Sequence, residues 1–202
     1  MPEHTKVMGK EWADARRQAS IDQLRTTVAP LLTGKATFTF ELGCGHGHWL
    51  AAYAAKHPEE FCLGIDLITL RVEKSVRKQS LGKIANIAFL KAEATEFLEA
   101  LPARCALGKI FILYPDPWPK KKHHKHRFIS PENLGLLARH ALPETRLHFR
   151  TDHADYHAWT LELLTADPHW KIIAEAVWPF EQMTFFEERT KLKRDIIAER
   201  TG

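Results

Sequence analysis

What the sequence lacks narrows it first. It contains no run of about 18 consecutive apolar residues, the length needed for a helix to span a bilayer, which excludes a transmembrane helix. Its opening residues, MPEHTKVMGKEW, include no apolar core segment and do not read as a secretory signal. Cysteine is scarce: Cys44, Cys62 and Cys105 are odd in number and widely spaced. That pattern argues against a disulfide framework and fits reduced thiols in a cytoplasmic protein. Low-complexity tracts, internal repeats and linker-like stretches are also missing. All 202 residues are therefore expected to form one domain, 1–202, with residues 1–30 as an N-terminal helical arm. There is no large charge imbalance either. The formal net charge is +4, so a polyanionic partner has to be argued from local clustering.

What is present is a repeated alternation. From Lys10 to Val28 apolar residues spaced irregularly among charges are consistent with an amphipathic helix, which Pro30 should close. ATFTFEL, FCLGID, NIAFLKA, LGKIFILY and TRLHFRT then read as strands. Between and after them, GHWLAAYAAKH, TLRVEKSVRKQSL, TEFLEAL, SPENLGLLARHAL and HADYHAWTLELLTAD read as helices. Ser130, Pro131 and Glu132 form a good helix start: an N-cap hydroxyl, a proline at the first helical position and an acid in the first turn. Strands alternating with helices from residue 36 to about 165 imply an α/β fold, a mostly parallel doubly wound sheet with helices on both faces. Near the C-terminus, LKRDIIAER reads as a late strand.

The first chemical signal is FELGCGHGHWL, which puts Gly43, Gly45 and Gly47 between a strand and a helix. A dinucleotide fingerprint would need its third glycine where His48 stands. Glu41, two positions before the first glycine, would repel a pyrophosphate but attract an ammonium. S-adenosylmethionine (SAM) fits these demands, having a sulfonium, an ammonium and no phosphate. Asp66 ends the second strand, where a carboxylate can accept bonds from both ribose hydroxyls. Glu93 follows the third strand, placed to face the adenine amino group. Either acid alone could be an ordinary helix cap, but acids at successive strand ends mark the ligand edge of such a sheet.

The second signal is ILYPDPWPKKKHHKHRF, from Ile112 to Phe128. Pro115, Pro117 and Pro119 bias Tyr114, Asp116 and Trp118 toward extended geometry. The strand should leave the sheet as a stiff arm that carries Asp116 over the cofactor pocket, preorganised for catalysis. Lys120, Lys121, Lys122, Lys125 and Arg127 follow, too charged to pack and suited to gripping phosphates. His123, His124 and His126 lie among them, but no cysteine is near and the lysines oppose a cation, so no metal is expected.

These residues carry a resemblance. The glycine loop, GID, EA and above all YPDPWPKKKHHKHR are similar to the tRNA (guanine-N7)-methyltransferase family, class I SAM-dependent enzymes with a Rossmann-like fold. RTDHADY and TFFEER match two further family motifs. The resemblance implies that Glu41, Gly43, Gly45, Gly47, Asp66, Glu93 and Asp116 bind the cofactor. It implies that Asp116 is the catalytic carboxylate. Lys120, Asp152, Thr184, Phe185, Phe186 and Glu187 would contact the guanosine, and tRNA would be the partner. Lys121, Lys122, Lys125 and Arg127 would hold the RNA backbone. Two other readings stay open on sequence grounds: a SAM enzyme acting on an exocyclic amine, and a non-catalytic tRNA-binding partner subunit. Oligomeric state is not legible.

Overall fold

The computed structural model of the chain describes residues 3–182 and 192–202. Among the described residues, seven strands form one sheet: β1 (Thr37–Leu42), β2 (Cys62–Asp66), β3 (Ile87–Lys91), β4 (Ala106–Leu113), β5 (Ala141–Thr151), β6 (Trp170–Ile172) and β7 (Arg194–Arg200). Their order is β3-β2-β1-β4-β5-β7-β6. The first five are mutually parallel, and β7 runs antiparallel between β5 and β6. Strand order reverses between β1 and β4, so a crevice opens beyond their C-terminal ends, where ligands bind in open α/β sheets.

The helices are α1 (Glu3–Leu31), α2 (His48–Lys56), α3 (Thr69–Gly82), α4 (Ala94–Ala100), α5 (Pro131–His140) and α6 (Ala154–Ala166). They cover both faces of the sheet, because the strands alternate. On β4, Ile110 and Ile112 join one apolar cluster while Phe111 and Leu113 join the other. The first cluster takes Ile21, Leu24 and Val28 of α1 with Phe97 of α4 and Leu137 of α5. The second takes Trp49, Leu50 and Tyr53 of α2 with Val72 of α3. Ser130 caps α5 by accepting from the Asn133 amide at 3.3 Å, as its sequence position implies. No described helix is long and apolar enough to cross a membrane.

Three details depart from expectation. α1 starts at Glu3 and runs through Pro30 to Leu31. A proline in the final turn removes only one ladder bond, and the Leu32 amide still reaches the Val28 carbonyl at 3.1 Å. The histidine-rich run Lys121–His126, for which no regular element is expected from sequence, forms a 3₁₀ helix. The short edge strand β6 was not legible, since three residues carry no periodic signal.

Phe97 shows how α4 is fixed. Its ring is fully buried and stacks on Phe40 of β1, with centroids 5.1 Å apart and planes 10° apart. Phe97→Ala should lose about 3–5 kcal/mol of stability, read as a lower urea midpoint with an unchanged slope. A loss under about 1 kcal/mol would mean that this contact does not anchor the helix.

Candidate active site

The site grows from the C-terminal ends of β1, β2, β3 and β4. Beyond β1 the chain enters the glycine loop with Gly43, Gly45 and Gly47 at φ of 73°, 55° and 65°. This left-handed region is open to glycine and strained for other residues. Gly47 is also crowded: a Cβ there would lie 2.7 Å from the Phe89 ring. A Cβ on Gly43 or Gly45 would meet nothing within 4 Å, so those two are required by backbone conformation alone.

The carboxylates differ in how they are held. Asp66 is buried, accepting from the Gly45 amide at 3.0 Å through one oxygen and from the Ile68 amide at 2.8 Å through the other. Arg71 stands 3.6 Å from it. Asp66 thus locks the glycine loop, and each oxygen keeps a lone pair for a further donor. Glu93 caps α4, accepting from the Glu96 amide at 2.9 Å and the Thr95 hydroxyl at 2.6 Å. The cap and its place on the cleft are compatible, since a carboxylate has several acceptor positions.

Glu41 is the exception. It is 3% exposed, and its Oε2 has no hydrogen-bond partner among the described residues. Burial, with the Asp66 charge added, pushes its titration up to about 8. An uncompensated carboxyl in such a place suits a cationic ligand group, so the residues present fit the ammonium of SAM.

The arm after β4 carries Asp116, which is exposed on the cleft. Its path is not uniformly extended: Tyr114 and Trp118 have φ of 49° and 43°. Proline disfavours the right-handed helical region for the residue before it, but tertiary bonds then choose among the rest. The Tyr114 amide is held by the Arg150 carbonyl at 2.7 Å, and its side chain is buried. Each left-handed residue costs about 1–3 kcal/mol, a strain that persists only where the surroundings over-determine it.

One cleft of about 550 Å³ gathers Glu41, Gly43, Gly45, Asp66, Glu93, Asp116, Lys125 and Arg127 on its lining. Gly47, Lys120, Lys121, Lys122 and Asp152 are not on it. Lys120, Lys121 and Lys122 are exposed beside it. Asp152 follows β5, the strand next to β4, and its carbonyl accepts from Arg194 at 2.7 Å. Thr184, Phe185, Phe186 and Glu187 lie outside the described residues.

Arg127 corrects an expectation. Its place in the basic run suggests an RNA-backbone cation, but it is 3% exposed and bonded within the protein, to the Pro117 carbonyl at 2.9 Å and to Asp155. Arg150 was overlooked altogether. Buried on β5, it meets Asp195 at 2.6 and 2.7 Å and Glu181 at 3.0 and 3.1 Å, with the Trp178 ring 4.0 Å away. An arginine within the strand segment LHFRT, in the middle of the sheet, was the available signal, because a buried charge there must be paired.

Glu41 gives the cleft a pH signature. A carboxyl raised to about 8 in the fold takes up a proton on folding. Its contribution to stability is complete below its unfolded value, about 4.3, and is lost as pH rises through about 8. Glu41→Gln cannot ionise. Relative to it, the wild type should lose stability between pH 5 and 8, by at most about 1.4 kcal/mol per pH unit. Urea midpoints of both proteins across that range test this, and parallel curves would refute it.

Comparisons with known proteins agree with this geometry. The family described as "Putative methyltransferase" matches residues 35–200. A tRNA (guanine-N(7)-)-methyltransferase of Caulobacter vibrioides is 33% identical over 190 residues, covering 88% of this chain and 84% of its own. One from Mycobacterium avium is 37% identical over 127 residues, covering 60% of this chain and 47% of its own. Among solved structures, the aminoglycoside resistance methyltransferase NpmB1 superposes with a TM-score of 0.59 at 18% identity, over 88% of this chain and 93% of its own, a likeness of fold. The strand order, the acidic cleft and the extent of these matches lead to one conclusion: the chain belongs to the tRNA (guanine-N7)-methyltransferase family.

Proposed function

We propose that this chain methylates N7 of a guanine in the tRNA variable loop, with SAM as methyl donor. The observation that carries the reading is the convergence of Glu41, Asp66, Glu93 and Asp116, each from the end of a different parallel strand, on one cleft. When bound, SAM supplies a methyl group made electrophilic by its sulfonium. In this reading Glu41 receives the ammonium, Asp66 the ribose hydroxyls and Glu93 the adenine edge. Gly43 and Gly45 let the backbone come close, and Gly47, off the cleft lining, lets the loop pack against Phe89.

Guanine N7 offers a lone pair and carries no proton, so the enzyme needs no base to uncover the nucleophile. Positive charge passes to the purine as the new bond forms. Asp116 is exposed at the cleft on a backbone constrained by prolines at both neighbours. There it aligns the guanine and sets a negative field near the forming cation. Asp152, on the neighbouring strand end, is available to the guanine N1 and N2 donors, and we assign Lys120 and the stretch Thr184–Glu187 to the same nucleoside. Lys121, Lys122 and Lys125 are exposed and suit the tRNA phosphates. The three free cysteines fit a cytoplasmic enzyme, and the whole of 1–202 would work as one catalytic domain.

Incubating the protein with SAM and unmodified tRNA, then digesting the RNA for mass spectrometry, tests the reading. The expected product is 7-methylguanosine in the variable-loop fragment. A methyl group on an exocyclic amine would replace this reading with the amine chemistry. Tight tRNA binding with no methylated nucleoside would replace it with a partner subunit.

A further inference from the structure

Arg127 is too well built to be a bystander. A guanidinium taken out of water is costly unless its charge and donors are matched. Here groups from two separate segments match Nε and Nη2, while the buried Nη1 has no partner among the described residues. On one side, Nε donates to the Pro117 carbonyl at 2.9 Å, the first carbonyl beyond Asp116. On the other, Nη2 pairs with Asp155 in the first turn of α6. The Tyr156 and Trp159 rings of α6 lie 4.8 and 5.3 Å from the guanidinium carbon, within cation–π range. The following main chain is tied to the same helix, since the Ile129 amide donates to the Tyr156 hydroxyl at 3.3 Å and the Trp159 indole to the Ile129 carbonyl at 3.0 Å.

We propose that Arg127 is a positioning residue for Asp116, a clasp that fixes the Pro-Asp-Pro-Trp arm to α6. This inference rests on the reading of Asp116 as the catalytic carboxylate. α6 begins directly after Asp152, with His153 as its N-cap. The clasp therefore places the two carboxylates that face the guanine, carried by different strands, on one frame. It also supplies part of the restraint that left-handed Tyr114 and Trp118, flanking Asp116, require. A phosphate-gripping cation needs an accessible head, whereas this one is 3% exposed and paired through Nε and Nη2.

Two full-length variants test the clasp. Arg127→Lys keeps the charge but loses the planar fork. Asp155→Asn alters the far end, at a side chain 58% exposed that can be changed without opening a cavity, so the test survives if Arg127→Lys misfolds. Hydrogen exchange of segment 114–127 reads the clasp without reference to activity, and should be about tenfold faster or more in both variants. Single-turnover methyl transfer at saturating SAM and tRNA should fall about 10–100-fold, the scale of a small misplacement, with tRNA affinity and its salt slope unchanged. Unaltered exchange overturns the clasp. Faster exchange with unaltered turnover overturns the positioning role, and a reduced salt slope in a third variant, Arg127→Gln, which removes the charge, makes Arg127 a phosphate ligand instead. Asp116→Asn in the same assay separates the two ideas. If it transfers methyl at the wild-type rate, the catalytic reading fails, while the exchange result still decides whether the clasp exists.

Discussion

Glu41 is held at the end of β1 with one oxygen that no described group bonds, and with the buried Asp66 charge close enough to help push its titration up to about 8. Much of the architecture around the cleft can be understood from that burden. A fold selected for stability alone would give this carboxyl a partner or replace it with an apolar side chain. Instead the parallel order of β3, β2, β1 and β4 brings acids from successive strand ends to one crevice. Asp66 is stabilised by backbone amides and Glu93 by its capping bonds, while Glu41 Oε2 has no partner among the described residues. In the proposed reading a cationic ligand group completes the cleft.

The opposite wall shows the second use of strain. The arm beyond β4 has two left-handed residues around Asp116, and its geometry is held by bonds from other elements: the Arg150 carbonyl on Tyr114 and the Arg127 side chain on Pro117. Arg150 is itself fixed by Asp195 of β7, the antiparallel strand inserted beside β5. The far side of the sheet therefore bears on the place where Asp116 sits. Local prolines limit the arm's freedom, and tertiary contacts select its shape.

That division explains what was legible in the sequence. The alternating elements, the glycine loop and the acids at strand ends follow from periodicity and spacing, which are local properties. Ser130 as a helix cap is local too, and so is the late strand in LKRDIIAER. The burial of Arg127 was not legible because it stands in a run of lysines and histidines, where charge density suggests solvent. Its burial depends on Asp155, Tyr156 and Trp159, about 30 residues on. The left-handed Tyr114 and Trp118 were missed for a similar reason. Proline chemistry excludes one region of backbone space, and contacts distant in sequence choose among the others.

If Glu41 is a carboxyl kept protonated until a cationic group arrives, ligand binding must displace its proton. Calorimetry of SAM binding at pH 7, in several buffers of different ionisation enthalpy, measures that proton directly. The expected result is a binding heat that varies linearly with buffer enthalpy in the wild type, showing proton release, and that release is lost in Glu41→Gln. A wild-type heat independent of buffer, or the same proton release in both proteins, would contradict the assignment of Glu41 to the cofactor's ammonium, and with it the account of why the cleft is acidic.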